Sequence, residues 1–247
     1  MLLFILALVP GPAGMVVACS DGGRRPINVY AASSLVDIMT EVEDRYEAEH
    51  SEIDIRMNLA GTNALIRQIN SGADAALLVA ADAGLLSDLV DEPVGRPETL
   101  ALNRLALVVP ADNPAGIGSS DDLADGTPLI ARCASGVPCG QATDMFLRDQ
   151  DLNLTRTTDE ANVRSVLTKV ATGEVDGGFV YHTDAVSTDD VMEIPLVDSP
   201  FVTITLARLD SDPSTEALAR YLTSNEVADL FAALGFTPPS SGDDRDP

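Results

Sequence analysis

The 247-residue chain has no tryptophan, and only 4% of its residues are aromatic. Its interior therefore has to be built from Leu, Val, Ile and Ala, and an apolar content of 45% makes such a core possible. Basic residues are scarce as well: 15 Lys and Arg stand against 39 Asp and Glu, giving a formal net charge of −24. A surface of that sign repels nucleic acid and anionic membrane, and so argues against both as partners. It leaves room for a small anion in a local pocket, because a Debye length of roughly 8 Å screens distant charge. Histidine occurs only at His50 and His182, and no G-x-S-x-G elbow is present, which weighs against a serine hydrolase. The acidic pairs Asp121-Asp122 and Asp189-Asp190 lack EF-hand spacing and read as caps and solvated faces. His50, following Glu47 and Glu49, reads as a solvated helix end.

No long apolar run is left unbroken. The first eighteen residues are apolar, but Pro10, Gly11, Pro12 and Gly14 interrupt them, so a spanning helix is not expected. An export signal over 1–18 fits better, although no Lys or Arg precedes the apolar stretch. Val16-Val17-Ala18-Cys19 resembles a bacterial lipobox, which implies lipidation of Cys19, a polar tether over 19–26, and an extracytoplasmic protein anchored to the outer face of the cell membrane or held in the periplasm. Cys133 and Cys139 then remain, separated by a loop containing Ser135, Gly136, Val137 and Pro138. In an oxidising compartment an isolated close pair forms a disulfide more often than a metal site, and no His lies near to complete a zinc ligand set.

What is present is a repeated junction in which an apolar strand gives way, through small or hydroxyl residues, to an amphipathic helix. Val29–Ala32 runs into Ser33-Ser34 and then a helical face of Leu35, Ile38, Met39, Val42 and Tyr46. Ile53–Leu59 alternates strictly, then passes through Gly61-Thr62-Asn63 to Leu65, Ile66 and Ile69. Ala75–Ala80 is a short buried run, with Asp82 placed to cap a helix reaching Val90. Leu100–Pro110 reads as one long strand or two. The alternation then restarts, with a strand at Leu129–Cys133, a helix at Pro138–Gln150, a helix at Asn162–Thr172 ended by Gly173, and strands at Asp176–Tyr181, Val191–Val197 and Phe201–Leu209. Terminal helices follow at Ser214–Leu222 and Asn225–Leu234, with a flexible tail over 240–247. This βαβ order predicts an α/β fold of two lobes, each a mainly parallel sheet flanked by helices, with a ligand cleft between them. The expected boundaries are 27–105 plus 203–239 for the first lobe and 106–202 for the second.

Ligands in open α/β sheets sit beyond the carboxyl ends of the strands. Here those ends carry Ser33-Ser34, Gly61-Thr62-Asn63, Val137-Pro138-Cys139-Gly140, Asn162-Val163 and Tyr181, with no Lys or Arg among them. Hydroxyls and helix N-termini, each terminus worth about half a positive charge, can hold a fully ionised oxyanion without a counter-charge. A donor-only cage satisfies an unprotonated dianion but clashes with an anion that still carries a proton, so it favours molybdate, tungstate or sulfate over hydrogen phosphate.

The same residues, in order and spacing, resemble the periplasmic molybdate-binding proteins of bacterial ABC importers. The matching pieces are Val29–Leu35, Ala60–Ile69, Gly72–Ala75 leading to Ala81-Asp82, Val137–Gly140, Asn162–Arg164 and Gly173–Tyr181, together covering nearly the whole of Ile27–Phe236. The resemblance implies a type II periplasmic-binding fold closing over molybdate or tungstate, delivery to an ABC permease, a monomer, no cofactor and no catalysis. It implies an oxyanion shell of Ser34 and Thr62 hydroxyls, the Cys139 and Val163 backbone amides, and the Tyr181 phenol. Thr62 stands where the family has a serine, and its methyl narrows the pocket. A binder of another oxyanion such as sulfate is the nearest alternative. A hydrolase with Ser34 as nucleophile and His182 and Asp184 behind it would need a base within reach of the serine.

Overall fold

The computed structural model describes residues 23–239; the expected signal segment 1–18, Cys19 and the tail 240–247 lie outside that range. Where the sequence alternates strand, small residue and helix, the backbone follows. β1 (Arg25–Ala32) ends on two alanines and passes through a 3-10 turn (Ser33–Leu35) into α1 (Val36–Glu49), whose buried face is Ile38, Met39, Val42 and Tyr46. β2 (Ile53–Ala60) leads through Gly61 into α2 (Thr62–Asn70), and β3 (Leu77–Ala80) is buried along its whole length. β1 pairs in parallel with both β2 and β3. β4 (Glu98–Pro110) is a single continuous strand.

The second unit repeats the pattern with β5 (Ile130–Cys133), α3 (Pro138–Asp149), β6 (Thr157–Glu160), α4 (Val163–Ala171) and β7 (Gly177–Tyr181), and β5 pairs in parallel with β6 and β7. A short α5 (His182–Ala185) and β8 (Val191–Ile194) follow, then β9 (Phe201–Arg208), α6 (Pro213–Leu222) and α7 (Asn225–Ala233). The strand order is β2-β1-β3-β9-β4-β7-β5-β6, with β8 also on β4. The antiparallel strands β4 and β9 join the two parallel triplets. The first part of β4, Glu98–Arg104, lies against β9, and the rest, from Leu105, lies against β7 and β8. Buried apolar side chains divide in the same way, one cluster drawn from 27–101 and 204–236 and others from 105–194. The result is a curled mixed sheet flanked by helices, with two lobes, as the sequence order predicts.

Several elements differ from expectation. Arg25 and Pro26, expected in the tether, open β1. The Arg25 amide donates to Glu52 O at 2.6 Å and its guanidinium to Ser214 Oγ at 2.6 Å. Both residues pair through backbone while their side chains stay exposed, so no apolar signal marks them. Asp82 does cap the next turn, accepting from Gly84 N at 2.8 Å, but that turn is 3-10 over Ala83–Asp88. The amide of Val90 goes instead to Asn70 Oδ1 at 3.0 Å. β6 carries the polar sequence Thr-Thr-Asp-Glu and, as an edge strand on β5, shows no alternation of apolar residues. β8 stops at Ile194, ahead of Pro195.

The second lobe is closely packed where α4 crosses β7. A Cβ added at Gly178 would lie 2.7 Å from Val166 Cγ1 and 2.8 Å from Val170 Cγ2. Gly178→Ala is therefore expected to destabilise the fold by about 1–3 kcal/mol through overpacking. In urea unfolding this appears as a lower midpoint at unchanged slope; an unmoved midpoint would show that the helix is not seated as described.

Candidate functional site

The carboxyl ends of the two parallel triplets face one another across a small open cavity. From the first lobe it is lined by Ala32, Ser33, Ser34, Gly61, Thr62 and Ala81, and from the second by Val137, Pro138, Cys139, Asn162, Val163 and Tyr181. All five residues expected as oxyanion donors are among these, and no side chain in the lining is charged.

Each donor is placed by the end of an element. Ser34 sits in the 3-10 turn after β1, and its Oγ is buried with no hydrogen-bond partner. The Tyr181 hydroxyl, at the end of β7, is likewise buried and unpartnered. Leaving such a group unpaired costs about 1–3 kcal/mol, so two at one cavity call for an explanation. Thr62 opens α2 and its Oγ1 accepts from Ala81 N at 3.1 Å, which leaves its hydroxyl hydrogen as a donor. Val163 opens α4 behind the cap Asn162, whose Oδ1 accepts from Ser165 N at 3.0 Å. Cys139 lies in the first turn of α3 after Pro138, which has no N–H to offer. Amides in a first helical turn have no intrahelical partner and point toward whatever lies ahead of the helix.

Cys133 and Cys139 are joined as a disulfide with their Cα atoms 5.7 Å apart, fastening the start of α3 to the end of β5. The loop between them is tight enough that a Cβ at Gly140 would fall 2.0 Å from Ala134 O, so only glycine fits there. Across the cavity the lobes touch. Asn63 Nδ2 donates to Gly136 O at 2.8 Å, a Cβ at Gly61 would stand 2.9 Å from Ala161 O, and Arg164 pairs with Asp37.

Behind the donors lies one buried acid. Asp184 Oδ2 accepts from the Tyr181 amide at 3.2 Å, and its Oδ1 is 3.1 Å from Arg164 Nε. Burial pushes the Asp184 pKa up to about 7, with Arg164 and the amide bond pulling the other way. Burial, reinforced by Asp184 and Asp82, raises the Tyr181 phenol well above its ordinary value, so it stays a protonated donor.

The hydrolase arrangement is not assembled. His182 Nδ1 lies 2.7 Å from Glu193 Oε2 and 2.9 Å from Arg104 Nη2, while Ser34 Oγ has no partner. His50 ends α1, its ring 4.3 Å from that of Tyr46. Among the described residues no group of His, Cys, Asp and Glu is placed to hold a metal, and no helix is long and apolar enough to cross a membrane. Sequence reasoning missed Asp37 and the cross-lobe contacts of Asn63 and Arg164, because their partners are remote in sequence and no local pattern announces such pairs.

A family model described as bacterial extracellular solute-binding protein matches residues 27–237. The molybdate-binding protein ModA of Mycobacterium tuberculosis is 32% identical over 67% of this chain, a match that spans 64% of that relative's own length. Over 93% of both chains, the Bacillus subtilis protein named "Putative ABC transporter substrate-binding lipoprotein YvgL" is 30% identical. Among solved structures, the sulfate-binding protein SubI of M. tuberculosis superposes with a TM-score of 0.76 at 14% identity, covering 88% of each chain. The Azotobacter vinelandii periplasmic molybdate-binding protein does so with a TM-score of 0.69 at 16% identity, covering 86% of this chain and 99% of that one. At those identities the two structures speak to fold alone, and they agree with the two-lobed α/β architecture.

The raised pKa of Asp184 carries a stability consequence. Its folded value of about 7 lies above its ordinary 3.8, so the stability due to the neutral carboxyl is complete below about pH 4. It is lost as pH rises through 7. Asp184→Asn should remove this dependence, so relative to the parent it is expected to fare better at pH 8 than at pH 5 in urea unfolding. An identical pH slope in both proteins would contradict the assignment.

Proposed function

The chain belongs to the bacterial extracellular solute-binding protein family, and from that premise we propose that it captures molybdate or tungstate and delivers it to an ABC permease. The observation that carries this reading is the pair of buried, unpartnered hydroxyls, Ser34 Oγ and Tyr181 OH, on a cavity without a charged lining residue. A cage of neutral donors suits an anion that carries no proton of its own. The Thr62 hydroxyl and the Cys139 and Val163 amides complete the proposed set. Each hydrogen bond to a charged group contributes about 1.5–3 kcal/mol. The names of the mycobacterial relatives support molybdate as the particular oxyanion.

In this reading the protein binds and releases without catalysis. The site contains a hydroxyl that could serve as nucleophile, Ser34, but no base bonded to it. We place the lobe boundaries at 27–105 plus 203–239 and 106–202, in keeping with the exchange of partners along β4 at Leu105. Export by the 1–18 segment and anchoring through a lipid on Cys19 would hold the protein beside its permease, and the name of the B. subtilis relative supports the lipoprotein part.

The deciding experiment is a thermal-shift screen of the soluble domain with molybdate, tungstate, sulfate and phosphate. Molybdate and tungstate should raise the melting temperature strongly by mass action, and phosphate little. A dominant shift with sulfate would reassign the ligand, and negligible shifts with all four would remove the oxyanion reading. Ser34→Ala and Tyr181→Phe should each weaken molybdate binding about tenfold or more, measured by calorimetry. Because the net charge is −24, added inert salt should raise the association rate modestly by screening the repulsion between protein and dianion. A rate that falls with salt would reveal a local basic patch.

A further inference from the structure

The donors stand in front of a second, ionic layer that follows them in sequence. Asp37 lies three residues after Ser34, Arg164 is next to Val163, and Asp184 lies three residues after Tyr181. Arg164 Nη2 bonds Asp37 Oδ2 on α1, across the cleft. Its Nε is 3.1 Å from Asp184 Oδ1 in its own lobe, and its Nη1 donates to Ser187 Oγ at 3.3 Å. The Arg164 side chain is 25% exposed, Asp184 is fully buried, and Asp37 is 50% exposed.

We propose that Arg164 is a positioning residue that latches the cleft, tying Asp37 of the first lobe to Asp184 of the second so that the Val163 amide and Tyr181 phenol are held opposite Ser34. The inference rests on the oxyanion reading above and adds to it a residue that does not touch the ligand. Arg164 is absent from the cavity lining; its two Nη atoms bond Ser187 and Asp37, and its Nε lies 3.1 Å from Asp184 Oδ1 as an ion-pair contact without a hydrogen bond. Arg164 is already paired with Asp37 and stands outside the lining, so its effect on a bound anion is geometric. The bidentate planar fork of arginine suits this task, since it can engage two acids at fixed angles where a lysine ammonium would not. The arm to Asp184 lies within one lobe and persists whether or not the lobes meet. The arm to Asp37 exists only when they do. A contact made only in the closed state slows release and leaves capture alone.

Asp37 is the arm to test, because it is half exposed and its loss leaves no buried charge. Release is followed by loading the protein with radiolabelled molybdate and chasing with unlabelled molybdate; association is measured separately. Asp37→Asn is expected to raise the dissociation rate about threefold, the scale of a partly exposed ion pair, with the association rate unchanged. Asp37→Glu should restore slow release, a recovery that a merely structural role for the position would not require. Added salt should speed release from the parent protein and leave Asp37→Asn unaffected. Equal dissociation rates for parent and Asp37→Asn, or a loss that falls on association, would overturn the latch while leaving the binding reading intact. If the parent itself retains neither molybdate, tungstate nor sulfate, the oxyanion reading falls and the latch with it.

Discussion

An anion held by neutral donors requires hydroxyls and amides that are buried yet not satisfied within the protein. That requirement conflicts with the ordinary rule of folding, under which nearly every buried polar group finds a partner. Around the cavity the conflict is settled residue by residue. Thr62 accepts from Ala81, Asn162 caps α4, Asn63 reaches Gly136, and Asp184 takes the Tyr181 amide. Ser34 Oγ and Tyr181 OH are left over. The ends of β1 and β7 thus keep their hydroxyls chemically available.

The backbone makes this possible by bringing element ends closer together than side chains normally allow. Gly61 and Gly140 sit where a Cβ would collide with carbonyl oxygens, and the Cys133–Cys139 bridge holds the start of α3 against the end of β5. With no charged side chain in the lining, the favourable field comes from helix starts and hydroxyl dipoles. These are fixed by the fold and cannot swing away as a lysine can. In a chain carrying a net charge of −24, the lining itself stays neutral, with Arg164 set behind it between Asp37 and Asp184.

Much of this was legible in the sequence because it rests on local pattern. Strict alternation in Ile53–Leu59, helical spacing from Leu35 to Tyr46, and small or hydroxyl residues at each junction gave the βαβ order and the strand-end segments that line the cavity, while the choice of five donors within them came from the family resemblance. The polar edge strand Thr157–Glu160 left no trace, since an edge strand paired through backbone needs no apolar face. Arg25 and Pro26 escaped because they pair with β2 through backbone and leave their side chains exposed. The segment after Asp82 read as a helix because Asp82 is placed to cap one, yet Leu85, Leu86 and Leu89 pack against the α2–β3 cluster from a 3-10 turn and its end. Asp37 carried no signal, Arg164 stood only within the Asn162–Arg164 piece, and Asp184 only as a member of the alternative hydrolase triad. Their meeting depends on the relative placement of three helices, which no window of sequence contains.

β4 is a single strand that exchanges hydrogen-bonding partners partway along, from β9 to β7 and β8, near Leu105. The lobes are thus joined by a ribbon of sheet that is stiff along its length and within its plane and compliant mainly in twist. A pair of bodies joined this way has few relative motions open to it. Any separation of the lobes through this ribbon would follow a twist rather than a free swing, and each return would bring the same element ends into register.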